Sequence, residues 1–496
     1  MVNVLTLSRK LKTEHLWALV VLTGVFVFVN THPIRPNDFW FHLAYGRILA
    51  QSGQIPTLDI FSFTREGQPY LSAYNYWLAQ WFLYHLFRVG GAEWSILVAS
   101  LLVTFTYALI LWMGLRQTGN WRLAAAGALF AAAAGITNWN VRPQLLVYPL
   151  AALSILGIES FRAGVKRLRW GVVLVVAIVL WVNCHATFFI PVTLVAFWLA
   201  EAAFHALRQQ KIAHILPPLG LLMIFLLGTL INPRGYRVYF YVFNLLQAPS
   251  VQKYIYEWQP ASLSIPEGRI FFALLAAFLL IWLVTRLHLT LSQGLSLLFF
   301  TALGLRYGRA VIWFGLTQAH LLVAMLQNLG VRLVKQFPLK KQEIPAFNII
   351  FAILLFFLAL ASVPWLRKYW PLSPEKQDIY AAETPVEAVA FLQEQGLPAR
   401  IFSDIGFSSY LIWACAPDCQ VFADPRFDLY PAEIWADYLK IGAAQGDWDA
   451  KLRHYGVQVL LLSPKTQKGL IEAAQDSSVW KQVYQDSVAV AFVRNK

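Results

Sequence analysis

The chain has little cysteine, little acid and no glycine-rich phosphate loop. Its 496 residues hold three cysteines. Cys184 falls at the edge of an apolar run, whereas Cys415 and Cys419 flank Ala-Pro-Asp. That spacing is open to a disulfide or to two free thiols, and a metal site with only two such ligands is the less favoured reading. Charged residues make up 13% and hydrophobic ones 58%, with a mean hydropathy of +0.53, which excludes a soluble enzyme and marks an integral membrane protein. Acids are outnumbered 26 to 40 by Lys and Arg, for a net charge of +14. This excess does not signal nucleic acid, because most of it lies in short loops between apolar runs, where membrane topology accounts for it. No small-x-small cleavage site follows the first apolar run in Asn30-Thr31-His32-Pro33, so an uncleaved first span is expected. Neither a fixed-period repeat nor an inverted pair of broken helices is present, which counts against a secondary transporter.

What is present is a succession of apolar segments from Leu16 to Trp365. They read as about eleven spanning helices of roughly 20 residues each, at 16–30, 94–115, 123–139, 143–160, 170–183, 188–206, 212–231, 270–284, 289–305, 310–329 and 347–365. The intervening loops alternate in kind. One set is basic and otherwise bland: Arg9, Lys10 and Lys12; Arg116 and Arg122; Arg162, Lys166, Arg167 and Arg169; Arg208 and Lys211; Arg286; Arg332, Lys335, Lys340 and Lys341. Basic loops stay in the cytoplasm. The other set holds Asp38, Arg142, His185, Asn232, Glu257, Arg306 and Arg309, and is therefore expected outside. The amino terminus is then cytoplasmic in an inner membrane and the carboxyl terminus extracytoplasmic.

Residues 1–365 are thus expected to form a transmembrane domain with outer loops at 31–93 and 232–269, and residues 366–496 an extracytoplasmic domain. In the first loop, Asp38 precedes an apolar stretch ending near Gly53, a pattern that predicts a capped helix at the headgroup level. A second amphipathic stretch at 77–87 carries Trp77 and Trp81, suited to the interface. Past Trp365 the strand-like runs 399–402, 420–423, 457–462 and 488–493 alternate with helical runs at 385–395, 432–441, 448–455 and 467–474. That alternation predicts a small α/β sheet domain. It has no glycine-rich loop, so no nucleotide is assigned to it.

Chemistry concentrates on the expected outer side. Asp38, just past the first span, is placed to take a proton from an acceptor hydroxyl or to hold a divalent cation that activates it; its other reading is a helix cap. His42 lies one turn further on. Arg306 and Arg309 enclose Tyr307-Gly308 at the outer end of two spans, where guanidinium groups match the oxygens of a lipid phosphate, or else snorkel to the interface. Arg142 precedes Pro143, and Asn183-Cys184-His185 joins two spans almost without a loop; polar groups pinned so tightly often line a cavity. Asn232-Pro233-Arg234-Gly235 reads first as a helix stop and turn, with Arg234 available to neutralise phosphate. Asp59 and Glu257 are candidate second carboxylates. Asp424-Pro425-Arg426-Phe427-Asp428 reads as a salt-bridged turn after a strand.

Several of these patches resemble one family. The run Asp38-Phe39-Trp40-Phe41-His42-Leu43-Ala44-Tyr45-Gly46-Arg47, and then Pro56-Thr57-Leu58-Asp59-Ile60-Phe61-Ser62-Phe63-Thr64, resembles the first outer loop of bacterial GT-C glycosyltransferases. The likeness is to the branch related to protein O-mannosyltransferases and aminoarabinose transferases. Arg142-Pro143-Gln144, Asn183 with His185, Asn232-Pro233 with Gly235, Glu257-Trp258-Gln259-Pro260 and Phe422 through Tyr430 are similar to the same branch. The resemblance implies a polytopic enzyme using a polyprenyl-phosphate-linked sugar, with Asp38 as catalytic base. Two departures stand out. Phe39 follows Asp38 where many mannosyltransferase-type relatives carry a second acid, and Tyr74-Asn75-Tyr76-Trp77 stands where nearer relatives tend to show His-Glu-Trp.

The expected function is transfer of a sugar from a polyprenyl-phosphate carrier to an extracytoplasmic protein, lipid or glycan acceptor, Asp38 acting as general base. Competing expectations are a noncatalytic assembly subunit derived from such an enzyme, and a transporter or polymerase of lipid-linked glycans. Asp38, Arg306 and Arg309 are expected to open into one cavity.

Overall fold

The computed structural model describes residues 11–70, 72–247, 249–336, 344–370, 372–396 and 400–495. Arg9, Lys10, Lys340 and Lys341 of the basic loops, and Ala399 at the head of an expected strand, lie outside the described residues. The membrane part is built from α1 (Thr13–Asn30), α2 (Asp38–Ser52), α3 (Ala73–Thr118), α4 (Trp121–Gly135), α5 (Val147–Arg162), α6 (Arg167–Cys184) and α7 (Phe189–Gln209). It continues through α8 (Leu216–Thr229), α9 (Arg237–Gln247), α10 (Pro249–Tyr254), α11 (Pro266–Thr285), α12 (Leu291–Arg306), α13 (Val311–Gln336) and α14 (Pro345–Ser362). Among the described residues nine helical segments are long and apolar enough to cross a membrane, two fewer than the sequence suggests. The difference lies in α4 and α12, of 15 and 16 residues. At about 1.5 Å per residue they fall short of the roughly 30 Å hydrocarbon core. The chain is an integral membrane protein.

Two glycine positions shape the region around Asp38. The helix α3 runs for 46 residues because two helices join across Gly90-Gly91, where Gly91 takes φ 68°, a conformation open to glycine at no steric cost. The expected amphipathic stretch and the expected second span are therefore one bent element. Gly46 of α2 faces α3 so closely that a Cβ there would overlap the Gln80 carbonyl oxygen. This crossing lays α2 along α3. Phe39, Trp40, Phe41, Leu43, Ala44 and Tyr45 are all buried, on more than one face, because the carboxyl-terminal region covers α2 from the other side.

That region is a five-stranded sheet with helices. Its elements are α15 (Pro374–Gln377), α16 (Val386–Glu394), β1 (Arg400–Ser403), α17 (Ile405–Cys415), β2 (Gln420–Val421), α18 (Ala432–Gly442), α19 (Trp448–His454), β3 (Val459–Leu462), α20 (Lys468–Gln475), β4 (Trp480–Gln485) and β5 (Val490–Arg494). The strand order is β2-β1-β3-β5-β4. Strands β2, β1 and β3 are parallel, with Ile401 beside both Val421 and Val459. The last two are antiparallel. Sequence periodicity missed α17 and β4. The first is buried on several sides, between the sheet and α2, so it shows no polar face to mark its period. The second is an edge strand with only one buried end, Trp480.

The segment between α2 and α3 is continuous with this sheet. Ser62 bridges Val421 in parallel, with Val421 N donating to Phe61 O at 2.9 Å and Phe63 N to Val421 O at 3.2 Å. One apolar core holds Phe41, Tyr45, Phe61 and Tyr70 of the amino-terminal part together with Phe402, Phe422 and Leu461 of the sheet. The loop thus covers the β2 edge, which would otherwise present unpaired backbone groups.

Candidate active site

Asn37 occupies the cap position of α2 and Asp38 is its first residue, with no side-chain capping bond. The capping reading of Asp38 is therefore corrected. Its carboxylate instead faces Arg142, at 3.7 Å from Nη1. The same Nη1 donates to Glu257 Oε2 at 3.1 Å, so one guanidinium links two carboxylates from distant parts of the chain. Arg142 is 7% exposed, and its Nε and Nη2 are buried without a hydrogen-bond partner among the described residues. Unpaired buried donors are costly unless an acceptor meets them.

The space beside Asp38 is a cavity of about 610 Å³, counting the solvent at its mouth. Asp38, His42, Arg142, His185 and Arg309 all line it. Glu257 stands behind Arg142 as its partner. Arg309 Nη2 donates to Gln144 Oε1 at 2.8 Å, and the guanidinium lies 5.2 Å over the Trp258 ring. No ion-pair partner faces Arg309 among the described residues, which leaves its charge available to an anion. Past Arg309 and Trp258 a second, mostly apolar cavity of about 590 Å³ continues between Phe189, Leu246, Leu303 and Trp313, sharing Tyr76, His185 and Arg309 with the first.

Electrostatics separates the two acids. Burial pushes the Asp38 carboxyl up, more than Arg142 draws it down, and the Glu257 charge adds to the rise. Burial also acts on Glu257, but Arg142 and Arg309 outweigh it and hold that carboxyl below the usual range. Burial, with Arg142 adding, lowers His42 to about 3. Its ring is neutral, and Gln80 Nε2 donates to Nδ1 at 3.0 Å. Burial and then Arg309 and Arg142 hold His185 well below its ordinary value. Around Asp38 the cavity therefore sets two cations, Arg142 and Arg309, and two neutral imidazoles against that raised carboxylate.

Apart from Glu257, which stands behind Arg142, five sequence candidates do not reach the cavity. Asp59 is fully buried in an ion pair with Arg426, 2.5 Å from its Nη1. Asn183 braces three segments, donating to Val179 O and Ile231 O at 2.8 Å each and accepting from Trp77 Nε1 at 2.7 Å. Asn232 closes its own turn, accepting from Arg234 N at 2.7 Å. Arg234 lies over the Tyr74 and Tyr241 rings, at 6.0 and 5.8 Å. Arg306 is exposed, bonded to Gln252 at 2.9 Å and stacked on Tyr307. Its single-cavity pairing with Asp38 and Arg309 is thus corrected: one turn separates it from Arg309, and it faces away.

Tyr76, Gln144, Tyr241, Trp258 and Asp428 also line the cavity, and none was singled out as a site residue. Gln144, Trp258 and Asp428 lay inside patches that carry the family resemblance. Asp428 comes from the sheet region, accepts a hydrogen bond from Ser72, and has its carboxyl pushed up by burial. Only aromatic content marked Tyr241. Among the described residues no group of three or more His, Cys, Asp or Glu side chains is arranged to hold a metal. Asp38 and Glu257 both turn toward Arg142.

No family model and no curated relative matches the chain. Solved structures do. The archaeal oligosaccharyltransferase AglB from Archaeoglobus fulgidus, in complex with an inhibitory peptide and a dolichol-phosphate, is similar at a TM-score of 0.56 and 12% identity, over 97% of this chain and 74% of that one. ArnT from Cupriavidus metallidurans in the apo state is similar at 0.53 and 15%, over 96% and 97%. The chain therefore has the fold that these two structures share. The likeness extends along nearly the whole chain, sheet region included, so the bundle, the buried α2 and the sheet are one architecture. Cys415 and Cys419, left open by the sequence, are joined in a disulfide, with Cα atoms 5.6 Å apart.

Proposed function

We propose that this cavity transfers a sugar from a polyprenyl-phosphate carrier to a hydroxyl of an extracytoplasmic acceptor, with inversion at the anomeric carbon. The observation that carries the reading is the pair of guanidinium groups beside a raised carboxylate: Arg142, with two unpartnered donors, and Arg309, which has no ion-pair partner among the described residues and also lines the apolar cavity. A phosphate needs the cations, and an isoprenoid chain needs the apolar space. The AglB neighbour was solved with a dolichol-phosphate, which supports a lipid carrier of this class here.

In the proposed reaction Asp38 accepts the acceptor's hydroxyl proton as the oxygen attacks the anomeric carbon. The bond from that carbon to the phosphate oxygen breaks on the opposite face, and its electron pair leaves with the phosphate. Arg142 and Arg309 stabilise the charge that grows there. A carboxyl pushed above its usual range is a better base for this step than an ordinary one. Glu257, held ionised, keeps Arg142 in place. The disulfide supports placing the sheet region in an oxidising compartment outside the cytoplasm, and the basic loops support the opposite assignment for the amino terminus.

The test incubates the purified, membrane-reconstituted protein with polyprenyl-phosphate sugars and candidate acceptors, comparing wild type with Asp38→Asn. Sugar release by the wild type and its loss in the variant would support the reading. Equal turnover by both would remove Asp38 as the base.

A further inference from the structure

A second polar cavity, of about 500 Å³, lies between α5, α7, α12 and α13. Helix α5 begins beside the Asp38 cavity, and Glu159 and Arg162 at its far end line the second one. The 16 residues of α5 separate the two by roughly 24 Å at about 1.5 Å per residue. The sugar-transfer chemistry does not use this site.

Its charged groups are unequally committed. Arg162 Nη2 pairs with Glu201 Oε1, and its Nη1 donates to Ser292 Oγ at 2.9 Å. The other Glu201 oxygen accepts from Ser292 N at 2.8 Å and Ser292 Oγ at 2.6 Å. Arg162 and Glu201 therefore neutralise each other. The Glu159 carboxylate has no hydrogen bond or ion pair among the described residues, and with the His320 ring as a titratable neighbour on the cavity wall it is the acid left free to meet a ligand. This acid stands on the basic side of the bundle, beside the loop that carries Lys166, Arg167 and Arg169. Ile155, Leu194 and Phe197 form apolar walls, and Ser296 and Thr317 add hydroxyls.

We infer that this cavity binds the headgroup of a phospholipid bearing a primary ammonium, drawn from the leaflet on the basic side. Three N–H donors match Glu159 and the hydroxyls, the lipid phosphate stays among the basic loop residues, and an acyl chain follows the apolar walls. A quaternary ammonium has no N–H to give, and an anionic headgroup meets Glu159 with like charge. Selectivity for ethanolamine over choline and glycerol headgroups follows.

Native mass spectrometry of the full chain, purified and equilibrated with equimolar phosphatidylethanolamine, phosphatidylcholine and phosphatidylglycerol, tests this. One phosphatidylethanolamine should be retained in preference to either competitor by roughly tenfold, the scale of one charge-assisted hydrogen bond. Glu159→Gln should abolish the preference while leaving total lipid retention in place, and Leu194→Trp, which fills the cavity, should remove the retained lipid. Equal retention of the three lipids by the wild type, or an unchanged preference in Glu159→Gln, would overturn the inference. Glu159 is exposed, so its amide variant tests charge without disturbing packing. Loss of sugar transfer in Asp38→Asn with lipid preference intact would separate the two sites.

Discussion

Arg426 of the sheet region reaches Asp59 of the segment between α2 and α3 at 2.5 Å, and both side chains are fully buried. Arg426 also pairs with Asp424 and donates to Tyr45 Oη of α2 at 2.7 Å. A charge buried this deeply is tolerated only while its partners remain. The loop that carries Pro425, Phe427 and Asp428 into the Asp38 cavity is thereby fixed to α2, the helix that carries Asp38 itself. Asp59→Asn or Arg426→Ala should lower stability by about 3–5 kcal/mol, read as earlier thermal unfolding and faster proteolysis of the sheet region. A change below about 1 kcal/mol would place the pair in the class of solvated ion pairs.

The two acids beside Arg142 give a signed dependence on pH. Asp38 must be ionised to accept a proton, and its carboxyl is raised, so the acid limb of sugar transfer should lie above the ordinary Asp value of about 3.9. Glu257→Gln removes a charge that repels the Asp38 anion and leaves Arg142 to act on Asp38 alone. The acid limb should then move to lower pH, whatever happens to the maximum rate. An acid raised in the folded state contributes stability below its folded pKa that is lost as pH rises through it. At neutral pH, Asp38→Asn should therefore leave stability unchanged or increase it, while reducing turnover by about 10²–10⁴-fold. A pH–rate profile and a melting curve check both signs.

Arg142 and Arg309 should act on the lipid phosphate but not equally. Arg142 is locked between Asp38 and Glu257, whereas Arg309 holds only Gln144 and the Trp258 ring. Arg309→Lys keeps charge but loses the fork, so the KM for a polyprenyl-phosphate sugar should rise by roughly tenfold or more. Arg306→Lys should leave that KM unchanged, because its side chain points to Gln252 outside the cavity. Steady-state kinetics of the two variants side by side distinguishes them, and equal effects would contradict the geometry.

What the sequence made legible was set by local pattern. Apolar runs, basic loops and the strand-helix alternation after Trp365 are all visible within windows of twenty residues, and most of the spans and sheet elements follow from them. The convergence of Asp38, Arg142, Glu257 and Arg309 joins positions as far apart as the first and tenth expected spans, and it was approached only through residue chemistry and family likeness. Asp59 shows why that approach also misleads. An acid in an outer loop looks available to substrate, yet its partner Arg426 lies 367 residues away, where no local pattern connects them. Arg306 and Arg309 illustrate the opposite case, since a 3-10 turn at Gly308–Ala310 rotates two neighbouring arginines onto different surfaces.

Sidedness underlies the proposed reaction, and the cysteines test it. Cys184 is buried, and Cys415 and Cys419 are bonded to each other. In intact cells or sealed right-side-out vesicles, a membrane-impermeant maleimide should therefore label the protein negligibly before reduction. A mild reductant should expose the Cys415 and Cys419 thiols to the same reagent from outside, and Cys184 should remain unlabelled until the protein is denatured. Replacing Cys415 and Cys419 by serine should eliminate the reductant-dependent signal. Labelling of these positions only after the membrane is permeabilised would put the sheet region in the cytoplasm. The Asp38 cavity would go with it, because Arg426 and Asp428 tie that region to the cavity, and transfer to an extracytoplasmic acceptor would be ruled out.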